Sequence, residues 1–251
     1  MLYLNRLFLP TLYDPQSAAL LVAYSGWLVA LSVLIAVLAA FVALSISSRV
    51  AASRSRFAHM AWISAGACSM GGGIWAMHFI GMLAFSLPCG VRYDVVLTLL
   101  STVPGILASA IALTLIAEPG RIGPRRLLAG AVMMGAGIGT MHYAGMAAMR
   151  PDALLLYDPK LVAVSVVVAI ALSAAALSVR TALADWELPG WSVALLSAIL
   201  MGLGIAGMHY TAMQASIFFR YPVGRVWIFR PIPRCSPSSS RCSPHSSRRS
   251  Y

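Results

Sequence analysis

Six long stretches without a charged residue constrain the fold of this chain more than any other feature. A helix that crosses the hydrocarbon core of a membrane, about 30 Å thick, needs about 20 residues. Only helices and closed barrels satisfy their backbone hydrogen bonds there, and continuous apolar runs such as residues 27–46 lack the alternation of a barrel strand. The stretches cover residues 15–48, 57–91, 95–117, 127–149, 161–179 and 188–219.

These stretches predict an all-α fold: a polytopic transmembrane helical bundle with six membrane-spanning helices. Hydrophobic residues make up 60% of the sequence and charged residues 10%, whereas a soluble domain has about 25% charged residues. We therefore predict a multi-pass protein in contact with membrane lipid. The predicted spans lie near residues 22–46, 58–84, 95–117, 127–148, 161–179 and 191–214.

The net charge of +11 has two sources. Seven arginines follow Phe219, in a segment rich in Ser, Pro and Arg whose composition predicts disorder. Residues 1–219 carry 11 basic and 7 acidic residues, a net charge of +4 that gives no argument for nucleic acid binding. We predict a membrane domain over residues 13–214 and an atypical tail over residues 215–251, which we interpret as an altered terminus.

The distribution of Lys and Arg between the loops predicts the orientation of the chain. The loops after the first, third and fifth spans carry seven arginines, whereas the opposite side, without the tail, carries four basic residues. This asymmetry favours an N-terminus outside the membrane. The tail would then also lie outside, and its seven arginines would reverse the count, so the tail conflicts with this orientation.

A 13-residue motif recurs in the second, fourth and sixth predicted spans, which indicates three two-helix repeats. Its copies read MGGGIWAMHFIGM (70–82), MGAGIGTMHYAGM (134–146) and MGLGIAGMHYTAM (201–213). Since these three spans run in the same direction, we expect their histidines to lie at one depth, close to the outer face. A Tyr-Asp pair also precedes each odd-numbered span, and we expect its aspartate to cap the helix. The pairs are Tyr13-Asp14, Tyr93-Asp94 and Tyr157-Asp158.

Histidine and methionine recur together in every copy of the motif. Residues four apart share a helix face, so each histidine lies with the methionine four residues later, and another methionine directly precedes it. A histidine within a membrane span is a candidate functional residue, and imidazole with thioether suits copper, especially Cu(I). The candidate metal ligands are His78, His142, His209, Met77, Met141, Met208, Met82, Met146 and Met213. The candidate supporting residues are Tyr143, Tyr210, Gly81 and Gly145.

The three motifs resemble those of the bacterial MHYT sensor domain. They read Met-His-Phe-Ile at 77–80, Met-His-Tyr-Ala at 141–144 and Met-His-Tyr-Thr at 208–211, so Phe79 departs from the pattern. The resemblance extends from about Tyr13 to Met213. It implies a seven-helix domain of the bacterial inner membrane that binds copper near the outer face through Met, His and Tyr. The seventh helix would follow the third motif, where this chain has its tail instead.

The resemblance also implies a function: sensing of the diatomic gases oxygen, carbon monoxide or nitric oxide. The signal would pass to a cytoplasmic signalling protein such as a diguanylate cyclase or a phosphodiesterase. Two alternatives remain at this stage. A copper transporter or carrier would use a deeper tier formed by Met70, Met134 and Met201, and a haem-binding protein would use two of the histidines. We predict no enzymatic activity, since the spans contain no acidic residue and the sequence has no phosphate-binding loop.

Overall fold

The computed structural model describes residues 20, 22–117, 123–183, 188–219, 234–235 and 242–243. This part of the chain contains six helices long and apolar enough to cross a membrane, which confirms the predicted all-α bundle. One span is divided at Ser101, because Pro104 has no N–H to bond the carbonyl of Leu100. The helices are α1 (Gly26–Ala52), α2 (Arg56–Ala84), α3 (Val95–Leu100), α4 (Thr102–Ala117), α5 (Pro124–Ala148), α6 (Pro159–Ala182) and α7 (Gly190–Gln214).

The spans form a closed ring in the order α1, α2, α4, α5, α6, α7 and back to α1. The three helices that carry the motif lie on the inside of this ring. In α2, α5 and α7 between 44% and 50% of the span is buried, compared with 28% in each of the other three spans. The repeat therefore builds an inner layer of three motif helices and an outer layer of α1, α3–α4 and α6.

Glycines of the motif let the inner and outer helices approach closely. A Cβ atom on Gly71 would lie 2.5 Å from the backbone nitrogen of Ile106, and one on Gly135 would lie 3.0 Å from that of Ile170. Gly202 packs in the same way on α1. Small residues at membrane helix crossings permit such contacts, and any larger side chain would push the backbones apart.

The aspartates of two Tyr-Asp pairs cap helices, as predicted. The carboxylate of Asp94 accepts a hydrogen bond from the N–H of Leu97 (3.1 Å), and that of Asp158 accepts one from the N–H of Lys160 (2.8 Å). The third pair, Tyr13-Asp14, lies outside the described residues. Ser25 occupies the N-cap position of α1, but its side chain makes no hydrogen bond to the helix.

Three short antiparallel strand pairs cover the end of the bundle at which the motifs lie. Each pair joins the strand before an outer helix to the strand after an inner helix, so the pairs follow the threefold repeat. A further pair consists of β7 (Arg234–Cys235) and β8 (Cys242–Ser243). The three covering pairs are β1 (Ala23–Tyr24) with β2 (Phe85–Ser86), β3 (Val91–Tyr93) with β4 (Met149–Pro151), and β5 (Leu154–Tyr157) with β6 (Ser216–Phe219).

Strand β6 corrects the predicted start of the disordered tail at residue 215. Residues 216–219 pair antiparallel with β5, so that Ser216 lies opposite Tyr157 and Phe219 lies opposite Leu154. The side chains of Phe218 and Phe219 are buried. The apolar sequence of this strand fills the third position in the ring of strand pairs, which explains why it is ordered. Beyond Phe219, most of the predicted tail lies outside the described residues.

Candidate metal centre

The three motif histidines meet at the centre of the inner helices, as their positions in the repeat predicted. Their Nδ1 atoms form a nearly equilateral triangle: 3.1 Å from His78 to His142, 3.1 Å from His78 to His209 and 3.2 Å from His142 to His209. All three side chains are at most 1% exposed. We refer to these three residues as the histidine triad.

Hydrogen bonding alone cannot satisfy the histidine triad. A neutral imidazole nitrogen carries either an N–H group or a lone pair. Each of the three Nδ1 atoms contacts the other two, and at least two of the three must be in the same state. At least one of the three contacts therefore joins two lone pairs or two N–H groups. A bound cation removes this conflict, since it accepts all three lone pairs at once.

The size of the triangle fits a metal ion. A point equidistant from three atoms separated by 3.1–3.2 Å lies about 1.8 Å from each, slightly less than the roughly 2.0 Å of a metal–imidazole bond. The Nδ1 atoms of His78, His142 and His209 are therefore close enough together to hold one metal ion, to which they would supply three imidazole ligands. The three imidazoles are the only group of three or more His, Cys, Asp and Glu side chains suited to a metal that the described residues contain.

Two of the three outward-facing nitrogens of the triad, those of His209 and His78, pack against glycine instead of a hydrogen-bond acceptor. All three Nε2 atoms are buried and have no hydrogen-bond partner. A Cβ atom on Gly81 would lie 2.5 Å from Nε2 of His209, and one on Gly145 would come still closer to Nε2 of His78. Gly81 and Gly145, predicted as supporting residues, thus provide the space that the imidazole of another repeat occupies.

The motif methionines lie in two separate buried clusters. Met82, Met146 and Met213 belong to the cluster under the strand pairs, together with Phe85 and Phe218. The methionines that precede the histidines belong to the central core, which also contains the deeper tier of Met70, Met134 and Met201. All six predicted methionine ligands are buried. Their ligation of a metal stays a prediction.

The residue after each histidine contacts a tyrosine next to an outer helix. Phe79 packs against Tyr93 and Tyr143 against Tyr157, with ring centroids 5.9 and 5.8 Å apart. In the remaining repeat the partner of Tyr210 is Tyr24, at 6.1 Å. The predicted Tyr-Asp pair of this repeat, Tyr13-Asp14, lies outside the described residues, whereas Tyr24 directly precedes Ser25 at the N-cap of α1.

These strand tyrosines are neutral at physiological pH. Burial, with the nearby Tyr210, raises the pKa of Tyr24 to about 12. Burial also raises the pKa of Tyr93, and burial with the nearby Tyr143 raises that of Tyr157. Since the ordinary pKa of tyrosine is about 10, these three phenols keep their protons near neutral pH when no metal is bound.

The hydroxyls of the motif tyrosines bind serines of the outer helices. Ser165 donates to a backbone carbonyl of its own helix, so Tyr143 donates to Ser165 (3.0 Å). For the same reason Tyr210 donates to Ser32 (2.8 Å). The hydroxyls therefore connect inner to outer helices. Phe79 in the first copy shows that one repeat does without this bond.

Comparison with known proteins also finds a threefold repeat, although its boundaries differ from those of the motif copies and the copy at residues 201–213 lies outside it. The chain matches the MHYT family, described as "Bacterial signalling protein N terminal repeat", over residues 16–60, 71–130 and 135–189. No solved structure matches it.

Relatives of the chain include much longer proteins. It is 42% identical over 205 residues to the bifunctional diguanylate cyclase/cyclic di-GMP phosphodiesterase MucR of Pseudomonas aeruginosa, covering 82% of this chain and 29% of MucR. It is 40% identical to the cyclic di-GMP phosphodiesterase NbdA of the same species, covering 77% of this chain and 24% of NbdA. It is 34% identical to the signaling protein YkoW of Bacillus subtilis, covering 79% of this chain and 25% of YkoW. The matched region is thus less than a third of each relative.

Proposed function

Because this chain belongs to the MHYT family of bacterial signalling proteins, we propose that it is a membrane sensor whose histidine triad binds copper near the outer membrane face. Its signal is a diatomic gas (oxygen, carbon monoxide or nitric oxide) or a change in the oxidation state of the metal. The observation that carries this proposal is the triangle of three buried Nδ1 atoms 3.1–3.2 Å apart.

The donor set suits copper better than it suits Mg²⁺ or Ca²⁺. The site offers imidazole nitrogens and thioether sulfurs, which suit copper, and the triad contains no carboxylate of the kind that Mg²⁺ and Ca²⁺ prefer. Bound copper would supply a coordination position for a diatomic gas and a one-electron redox change. The chain holds the imidazoles in place and keeps bulk water away, since the triad is buried and the strand pairs cover its end of the bundle.

The arrangement of the helices supports communication between the triad and the outer layer. Each histidine lies on an inner helix that packs on two outer helices through glycine contacts, as Gly71 does on Ile106. A change in ligation would shift the inner helices relative to one another. Small shifts between packed helices are a common means by which sites communicate.

The output is a cytoplasmic signalling activity. Two relatives are named as cyclic di-GMP enzymes, and this chain matches less than a third of each. We propose that the bundle regulates a diguanylate cyclase or a phosphodiesterase and has no catalytic role itself. The arginine-rich ends of the spans, opposite the strand pairs, would face the cytoplasm of the bacterial inner membrane, with the start of α1 outside.

Copper analysis of the purified protein tests the proposal. The triple variant His78→Ala, His142→Ala, His209→Ala should lose the bound copper, whereas His59→Ala should retain it. His59 is a suitable control because it lies at the opposite end of α2, where its Nδ1 contacts the Val50 carbonyl (3.3 Å). Equal copper content in the triple variant and the unmodified protein would refute the site.

One alternative, a copper carrier, has support from a specific observation. The three methionines that directly precede the histidines and the three of the deeper tier are all buried in the central core. Their thioethers could bind copper in successive steps of a path along the inner helices. Copper flux into vesicles distinguishes the two functions: replacement of Met70, Met134 and Met201 by leucine should abolish flux in a carrier and leave the copper content of a sensor unchanged. Haem ligation lacks such support, because imidazoles in mutual contact leave no room for a macrocycle between them.

A further inference from the structure

A cavity of about 500 Å³ lies at the end of the bundle opposite the histidine triad. It is enclosed by the last turns of α1, the end of α6 and the first turns of α7. Its volume falls within the roughly 300–1,000 Å³ of small-molecule sites. The cavity therefore has the size of a ligand site and lies far from the proposed metal.

The third repeat differs from the other two at this cavity. Position 197 lies four residues before the motif, where the first two copies have Gly66 and Gly130. In those copies a leucine of the next outer helix packs onto the glycine: a Cβ atom would lie 2.7 Å from Leu113 and 3.2 Å from Leu177. The third copy has Ser197 instead, and the space beside it is the cavity.

The hydroxyl of Ser197 lacks a hydrogen-bond partner. The residue is only 3% exposed, and its Oγ atom is buried without a partner. Ser32, Ser109 and Ser165, which are also buried in the spans, donate to carbonyls of their own helices. A buried hydroxyl is unfavourable unless it is paired, and Ser197 belongs to the wall of the cavity, so rotation of its side chain would allow it to donate to an acceptor there.

The lining of the cavity defines the chemistry of that acceptor. Among the described residues that form its wall, none carries a charge; the wall is hydrocarbon from residues such as Leu44 and Leu188, with additional hydroxyls from Ser45 and Ser48. Trp191, at the start of α7, is 64% exposed and has the position of an aromatic residue at a membrane interface. These described walls suit a ligand that is largely apolar and able to enter from the bilayer.

We propose that this cavity binds an uncharged lipid-like molecule whose carbonyl oxygen accepts a hydrogen bond from Ser197. Acyl esters of membrane lipids and membrane quinones share this chemistry, a carbonyl group on a hydrocarbon body. The proposal is independent of metal binding, because the cavity and the histidine triad occupy opposite ends of the bundle.

Photocrosslinking in lipid nanodiscs tests the proposal on the full chain. The probes are a diacylglycerol with a diazirine in one acyl chain and its dialkyl ether analogue, which lacks the carbonyl. We expect crosslinks within residues 44–48 and 190–197, with more labelling by the ester than by the ether. Decylubiquinone is the competitor: displacement of the probe assigns the site to quinones, and retention of the probe assigns it to acyl esters.

Variants of α7 distinguish the contribution of the hydrogen bond to labelling from the contribution of the cavity volume. Ser197→Ala should lower ester labelling about two- to tenfold, the range that one net hydrogen bond supplies, and abolish the preference for the ester. Ala194→Phe should block labelling by filling the cavity, with Ala194→Leu as the smaller replacement. Ser109→Ala is the matched control, because the hydroxyl of Ser109 is already bound to the Gly105 carbonyl (2.7 Å).

Two results would overturn the proposal. One is an absence of crosslinks in residues 44–48 and 190–197 with both probes. The other is labelling and quinone displacement that do not change in Ser197→Ala or in the filled-cavity variants. Thermal unfolding of each variant in the same nanodiscs confirms that loss of labelling does not result from misfolding.

Discussion

Replacing Gly81 with alanine is expected to disrupt the histidine triad while leaving the helix packing intact. The added Cβ atom would lie 2.5 Å from Nε2 of His209, closer than the 3.0 Å below which real Cβ contacts essentially do not occur. Because that nitrogen is the end of a flexible side chain, the imidazole can turn away. It would then leave the position in which its Nδ1 atom lies 3.1 Å from that of His78.

The size of this displacement determines the expected loss of metal. Restoring an ordinary contact of about 3.5 Å requires the His209 ring to move by about 1 Å, whereas metal–ligand distances tolerate only about 0.2 Å. Substitution of residues that merely orient a ligand typically costs 10- to 100-fold in metal affinity. We therefore expect Gly81→Ala to lower copper affinity by about 100-fold, and Gly145→Ala to act likewise on His78.

Gly72 provides a matched control on the same helix. A Cβ atom there would meet no atom within 4 Å, so Gly72→Ala should keep its copper. It should also gain the roughly 1 kcal/mol by which alanine exceeds glycine in a helix. Copper titration and thermal unfolding of the metal-free protein in detergent measure both quantities. The reasoning is wrong if Gly81→Ala binds copper within about threefold of the unmodified protein and is stabilised as much as Gly72→Ala.

Three further predictions concern helix packing and capping. Gly71→Ala should greatly reduce the yield of folded protein, measured by size-exclusion chromatography, because its Cβ would lie 2.5 Å from the backbone nitrogen of Ile106, which cannot turn away. Tyr210→Phe should cost about 1 kcal/mol in unfolding free energy, the value of its bond to Ser32, yet retain copper; loss of copper would show that the hydroxyl acts in the site. Asp158→Ala should lower the unfolding free energy by about 1 kcal/mol through loss of the α6 cap, measurable in a denaturant titration.

The sequence predicted the features that depend on composition and period. The six spans follow from runs of uncharged residues, and the meeting of the three histidines follows from their common position in helices of the same direction. The short strands escaped prediction, since a strand of two to four residues has no detectable alternation. Tyr24 was missed because its repeat has Ser25 where the others have aspartate.

The roles of the glycines required coordinates. Gly81 and Gly71 both belong to one motif copy, but the first accommodates an imidazole of another repeat and the second accommodates a helix backbone. Sequence spacing alone places both on the inner helix and gives no indication of what each one faces. The cavity beside Ser197 likewise required coordinates, because it depends on how the side chains of three helices fill the space.

The contacts of the triad explain why the motif occurs three times in one chain. His209 packs against Gly81 of the first repeat, and His78 packs against Gly145 of the second, so these two imidazoles each depend on a helix from a different repeat. A change in ligation at the centre therefore acts on all three inner helices together. Since each inner helix packs on two outer helices, such a change would reach the entire ring.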